Sequence, residues 1–168
     1  MGARRVTHGR RGRLDRGRAE ERGGPVGPQC GRLPDGEPVY LDDGTVVRPE
    51  EVVGDPRPGR RFVYTGDTRP VDATVAVAEE PDLLVHDATF DDEWAERARR
   101  TGHATGREAA EVATRAGATQ LGLVHVSSRY AGDASSIEHE AASAAADGTE
   151  VFLPDDGHTI EVPFPDEV

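Results

Sequence analysis

The sequence predicts an α/β fold, read as half of a layered α/β domain. Three observations carry this reading. After residue 60 short apolar runs alternate with helix-like segments. Thr105-Gly106-Arg107-Glu108 has the form of a helix-opening capping box, and Ala109, Val112, Ala113 and Ala116 then make one apolar stripe that Gly117 ends. Two strand-like runs stop at side chains able to bind metal. Phe62-Val63-Tyr64-Thr65 leads into Gly66-Asp67, and Leu121-Gly122-Leu123-Val124 leads into His125.

Taken in order, residues 1–12 are rich in Gly and Arg without periodicity and are expected to be disordered, or an artefact of where the reading frame was opened. Arg13 to Arg22 suits a short exposed helix stopped by Gly23-Gly24-Pro25, and Pro25-Val26-Gly27-Pro28 a rigid loop. Residues 37–47 read as a β-hairpin around the turn signal Asp42-Asp43-Gly44. Asp55 to Gly59 is a Pro-rich connection. Then follow strand 61–65, a helix near 71–79, strand 82–86, helix 91–101, helix 105–116, strand 120–126 and helix 134–146. Strands near 149–153 and 158–162 close the chain. Ser135-Ser136-Ile137-Glu138 offers a second capping box, with Gly148 as the stop.

The 168 residues suit one domain or part of one, and a hydrophobic content of 35% with 5% aromatics allows a small core. The net charge of −12 is uneven: residues 1–24 hold eight Arg against three acids, leaving twelve against twenty-nine for the rest. Lys is absent from the sequence. Acid excess with Arg in place of Lys suits a salt-loving organism with a GC-rich genome. At molar salt the screening length is only about 3 Å, so the excess does not exclude a nucleic-acid partner held by local Arg clusters. One cysteine, Cys30, excludes an internal disulfide. No apolar stretch approaches the roughly 20 residues of a membrane span, and no secretory signal is visible, so the expectation is a cytoplasmic protein without a membrane partner.

Asp67 and His125 share one placement, at the point where a strand ends. A rigid sheet holds such side chains while leaving them open to a substrate, and a carboxylate with an imidazole suits a hydrolytic metal centre. Each has an ordinary reading too: Gly-Asp-Thr is a common turn, and a lone His after an apolar run is often a satisfied core residue. His86 and His103 lie in two further punctuated segments between them. It is the joint arrangement that points to chemistry.

Tyr64-Thr65-Gly66-Asp67-Thr68-Arg69-Pro70, His86-Asp87-Ala88-Thr89-Phe90, Gly102-His103-Ala104-Thr105 and His125-Val126-Ser127-Ser128-Arg129-Tyr130 resemble the motif series of ribonuclease Z. That family is the tRNA 3′-processing endonuclease of the metallo-β-lactamase superfamily. The likeness runs from about residue 13 to the C-terminus. It implies the second half of a metallo-β-lactamase αββα sandwich. Residues 13–60 would be a remnant of the tRNA-binding arm plus the hairpin, and 61–168 the C-terminal half of the domain.

The resemblance implies that Asp67 bridges two zinc ions and that His125 ligates one. His103 would protonate the leaving oxygen, oriented by Asp87, which stands where the family usually has Glu. Ser128, Arg129 and Tyr130 would lie near the tRNA end, and His86 would support its loop. Precursor tRNA would be the substrate, and the full-length family implies a homodimer. The family's His-x-His-x-Asp-His cluster and the ligand His after it are not found in the sequence. The expectation is therefore a chain without the N-terminal half, shortened by a late start, a frameshift or a split gene. Its zinc site would be incomplete and its activity alone lost. The alternatives are another hydrolase of the same fold, such as an arylsulfatase or phosphodiesterase, and a non-catalytic tRNA-binding or dimerisation remnant.

Overall fold

A computed structural model describes residues 3–24 and 27–164. Pro25 and Val26, half of the expected rigid loop, lie outside the described residues. The chain divides into two compact units, one of Arg60–Pro163 with the N-terminal residues up to Thr7, the other built on His8–Gly59.

The larger unit holds most of a sheet with helices packed on it. Its strands stand in the order β1-β4-β5-β6-β7, where β1 is Arg4–Arg10, β4 Arg57–Tyr64, β5 Leu83–Asp87, β6 Gln120–Val124 and β7 Glu150–Phe152. The last four pair in parallel, with Val63 opposite Leu84, Leu84 opposite Leu121, and Leu121 opposite Val151. Because side chains alternate along a strand, Val63, Leu84, Leu121 and Leu123 share one face. They join Ala109, Val112, Ala113, Ile137 and Ala141 from the helices in a single core. The helices are α3 (Asp72–Ala78), α4 (Ala95–Thr101), α5 (Gly106–Ala116) and α6 (Ser135–Ala144).

The first capping box is formed: the Thr105 hydroxyl accepts from Glu108 N and the Glu108 carboxylate from Thr105 N. Gly117 ends α5 with φ +71°, a left-handed conformation that glycine adopts without a Cβ clash. A Cβ on Gly106 would stand 2.3 Å from the carbonyl oxygen of Ile137, so glycine here lets α5 and α6 approach.

The smaller unit holds α1 (Arg16–Glu21), the hairpin β2 (Val39–Tyr40) and β3 (Val46–Val47), and α2 (Pro49–Val52). Asp15 caps α1 by accepting from Arg18 N. Ala19, Leu33, Val39, Val47 and Val52 make its own small core.

Several expectations are corrected. Residues 4–10, part of the stretch expected to be disordered or an artefactual start, form β1 at the sheet edge. Residues 158–162 form no strand. Helix 91–101 is a 3-10 turn, Asp92–Trp94, followed by α4. The second capping box is not made: Ala134 occupies the cap, Ser135 N donates to Asp133, and the Glu138 carboxylate takes Leu153 N. Strand β4 is buried on one face only, with Val63 inaccessible while Phe62 and Tyr64 are 37% and 46% exposed.

Candidate active site

The register of the parallel strands assembles the site. Asp87, the last residue of β5, lies opposite Val124, the last of β6. The chain segments leaving the two strands stay together, through Ala88 N donating to Val124 O and Ser127 N to Thr89 O. The segment before α5 joins them, through Phe90 N to Ala104 O and Gly106 N to Phe90 O. Thr68, just past β4, donates its N–H to Asp87 Oδ2 over 3.1 Å. Four sequence-distant loops thus meet at one end of the sheet.

Asp87 is the hub of this cluster and is completely buried. Its Oδ1 accepts from Thr89 N at 3.0 Å, Thr89 Oγ1 at 2.8 Å and Ala104 N at 3.2 Å. Its Oδ2 accepts from Thr68 N and lies 2.7 Å from His103 Nδ1. A buried carboxylate needs such donors, because unpaired burial of charge is costly. A carboxylate also offers only about four lone-pair sites, so Asp87 has no capacity left for a metal.

His125 stands just past β6 with φ +65°, a conformation uncommon for a residue other than glycine and one that collects at functional positions. Its ring stacks on that of His103, centroids 4.9 Å apart and planes 17° from parallel. Its Nδ1 lies 2.8 Å from Thr89 Oγ1. Asp87 can only accept, so Thr89 gives it the single hydroxyl proton and accepts from His125 Nδ1–H. That fixes the imidazole tautomer and leaves the lone pair on Nε2, which is 3.2 Å from Asp67 Oδ2. Two acceptors at that distance are satisfied by a proton or a cation shared between them. The separation also fits two ligands each about 2.0–2.2 Å from one zinc.

Asp87, His103 and His125 bring ligand atoms within 4.8 Å of one another and make a possible partial metal group. With Asp87 saturated, the open ligand atoms are those of Asp67, His125 Nε2 and His103 Nε2, and of these Asp67 and His125 stand 3.2 Å apart. Both are about half exposed, at 46% and 43%, whereas the His103 side chain is 22% exposed.

The remaining predicted residues fall nearby, in the 3-10 turn Ser128–Tyr130. Ser128 is exposed. The Tyr130 hydroxyl accepts from Asp91 N at 3.1 Å, and burial pushes its phenol above the usual range. The Arg129 guanidinium lies 3.6 Å from the centre of the Trp94 ring. His86 is buried, its Nδ1 2.8 Å from Asp87 O, and its Nε2 has no partner among the described residues. Sequence reasoning missed Thr89 as the link between Asp87 and His125, although a Thr two residues after an Asp is a spacing that side-chain turns use.

A family described as "Beta-lactamase superfamily domain" matches residues 51–126. Ribonuclease Z of Natronomonas pharaonis is 62% identical over 96% of this chain and 52% of its own length. Ribonuclease Z of Halorubrum lacusprofundi is 66% identical over 94% of this chain and 50% of its own. The chain therefore spans about half the length of the curated relatives it matches. Among solved structures, the metallo-beta-lactamase fold protein YhfI of Bacillus subtilis is similar with a TM-score of 0.53 and 27% identity, over 59% of this chain and 39% of that one. The fold is that of the metallo-β-lactamases, present in part. Among the described residues no helix is long and apolar enough to cross a membrane.

Proposed function

We propose, for a chain that belongs to the ribonuclease Z family, that it supplies part of a zinc-dependent endoribonuclease that removes the 3′ trailer of precursor tRNA. What supports the reading most directly is one geometric unit: His103 held by Asp87 at 2.7 Å beside the Asp67–His125 pair at 3.2 Å. Asp67 and His125 would hold zinc. When bound, zinc ions acidify water and neutralise charge on the phosphate.

The residues of this chain do the rest. The Asp87 carboxylate accepts a hydrogen bond from His103 Nδ1–H, so that in the imidazolium form the Nε2–H is the one that would pass its proton to the departing 3′ oxygen of the tRNA. Thr89 keeps His125 in the tautomer whose Nε2 is a ligand, the outer-contact arrangement common around metal-bound histidines. The smaller unit has a cleft of about 1120 Å³ with Arg10, Arg11, Arg13, Arg16 and Arg57 in its lining. These suit the phosphates of a folded tRNA, read by shape rather than by base. The product would be a tRNA ready for CCA addition, made in the cytoplasm by an enzyme that pairs as a homodimer.

A catalytic zinc takes about three protein ligands and a water, and Asp67 and His125 bring two. Alone, the chain is expected to hold zinc weakly and to leave precursor tRNA uncut. The test is a chimera in which this chain replaces the matching half of the Natronomonas pharaonis relative. The expected result is cleavage of precursor tRNA at the 3′ end, lost in Asp67→Ala and His125→Ala. A well-folded chimera that cleaves small phosphodiesters or sulfate esters but not precursor tRNA would overturn the reading.

A further inference from the structure

We infer that the cleft beside α4 binds single-stranded RNA, with a base against Trp94 and phosphates at Arg97 and Arg100. This rests on the tRNA-processing reading of the site and names where the unpaired nucleotides next to the cut would lie. The cleft is about 760 Å³ and is lined by Glu93, Trp94, Glu96, Arg97, Arg99 and Arg100. Arg97 and Arg100 are exposed on α4, whereas Arg99 is engaged by Glu108 at 3.8 Å. The lining holds three arginines and two glutamates, against twelve arginines and twenty-nine acids in the sequence after residue 24.

Two chains of contact tie the cleft to the histidines. Arg129, four residues past His125, lies with its guanidinium 3.6 Å from the Trp94 ring centre. On the other side the Arg97 guanidinium is 6.0 Å from the Phe90 ring centre, and Phe90 meets the His103 ring edge-on at 6.4 Å. Trp94 is half-buried and lines the cleft as well as carrying Arg129. Aromatic faces and guanidinium planes stack unpaired bases, while exposed arginines hold the phosphates; the combination is sequence-tolerant. A trailer of arbitrary sequence calls for that kind of recognition.

Trp94 is the only tryptophan in the sequence, so its fluorescence reports this cleft. The experiment titrates the 168-residue chain with a labelled eight-nucleotide oligouridylate, following both tryptophan emission and RNA anisotropy across a potassium chloride series. Saturable quenching is expected, with an anisotropy midpoint equal to the fluorescence midpoint. The double substitution Arg97→Ala with Arg100→Ala should weaken binding at least about fivefold and flatten its salt dependence. Trp94→Ala should weaken it at least about fivefold, and Trp94→Phe, which keeps a stacking face, by less than about threefold. The arginine variants are at exposed positions and keep the test open if Trp94→Ala does not fold. RNA binding with unchanged tryptophan emission and no effect of the arginine pair would overturn the assignment, as would no binding at all. If instead the cleft binds RNA and the chimera does not cut precursor tRNA, the tRNA-processing reading fails and the cleft remains.

Discussion

The Thr89 hydroxyl lies 2.8 Å from Asp87 Oδ1 and 2.8 Å from His125 Nδ1, so one side chain hands its proton to the buried acid and fixes the tautomer of the candidate metal ligand. The relay joins the end of β5 to the end of β6 and makes the orientation of an exposed ring depend on a buried carboxylate.

Thr89→Val removes the relay with little change of shape. Zinc affinity of the chimera is expected to fall about 10- to 100-fold, the usual cost of losing an outer contact to a metal-bound histidine. Zinc titration with a competing chelator measures it. Unchanged affinity would mean that the Thr89 contact does not set the tautomer.

Asp87→Ala strands the N–H groups of Thr89, Ala104 and Thr68, besides freeing His103. Each buried donor left unpaired costs about 1–3 kcal/mol, so the variant should lose several kcal/mol of stability. Asp87→Asn keeps the shape but replaces acceptor capacity with a donor, and should fall between. Thermal melts in molar potassium chloride check this. A midpoint within a few degrees of wild type for Asp87→Ala would show that Asp87 is not the hub described. The sequence alone suggested only an orienting role for Asp87, because its other four donors come from backbone and loop packing.

His86 is buried, and desolvation holds its pKa below the ordinary value of 6.5, with a hydrogen bond to the Asp87 carbonyl opposing the shift. The unfolded chain therefore takes up this proton more readily than the folded one. Stability is retained above about pH 6.5 and is lost as pH falls below it, by at most about 1.4 kcal/mol per pH unit for one group. His86→Leu should lose less stability than wild type between pH 7 and pH 5. His86→Leu keeps every other histidine, so the difference isolates His86. Equal pH slopes in denaturant melts would contradict the assignment.

Gly106→Ala places a methyl 2.3 Å from the Ile137 carbonyl oxygen. Alanine is normally the better helix residue by about 1 kcal/mol, but here α5 and α6 must separate. The variant is expected to melt lower by at least about 4 °C, given that 1 kcal/mol moves the midpoint of a domain this size by a few degrees. A higher midpoint in a calorimetric scan would show that the helices tolerate the methyl.

What the sequence made legible was local. The Thr105 capping box, the stripe on α5, the Asp43-Gly44 hairpin turn and the strand ends at Asp67 and His125 each depend on residues close together in the chain. What it hid was non-local. Strand β1 draws its order from pairing at the sheet edge beside β4, which no pattern within residues 1–12 announces. The second capping box failed because Glu138 found a partner in Leu153, fifteen residues away. Residues 158–162 alternate like a strand and still make none. At the site, the Asp67, Asp87, His103 and His125 segments were legible from their punctuation and their family likeness. The Thr89 relay and the Arg129–Trp94 stack were not, since each needs the fold to bring two loops together.

The central claim is that Asp67 and His125 bind the metal while His103, oriented by Asp87, serves as the proton donor. Zinc titration of the 168-residue chain and three variants tests it most directly. The wild type and His103→Ala are expected to bind one zinc with the same weak affinity, while Asp67→Ala and His125→Ala lose it. Loss of zinc in His103→Ala, with binding retained in Asp67→Ala, would contradict the account.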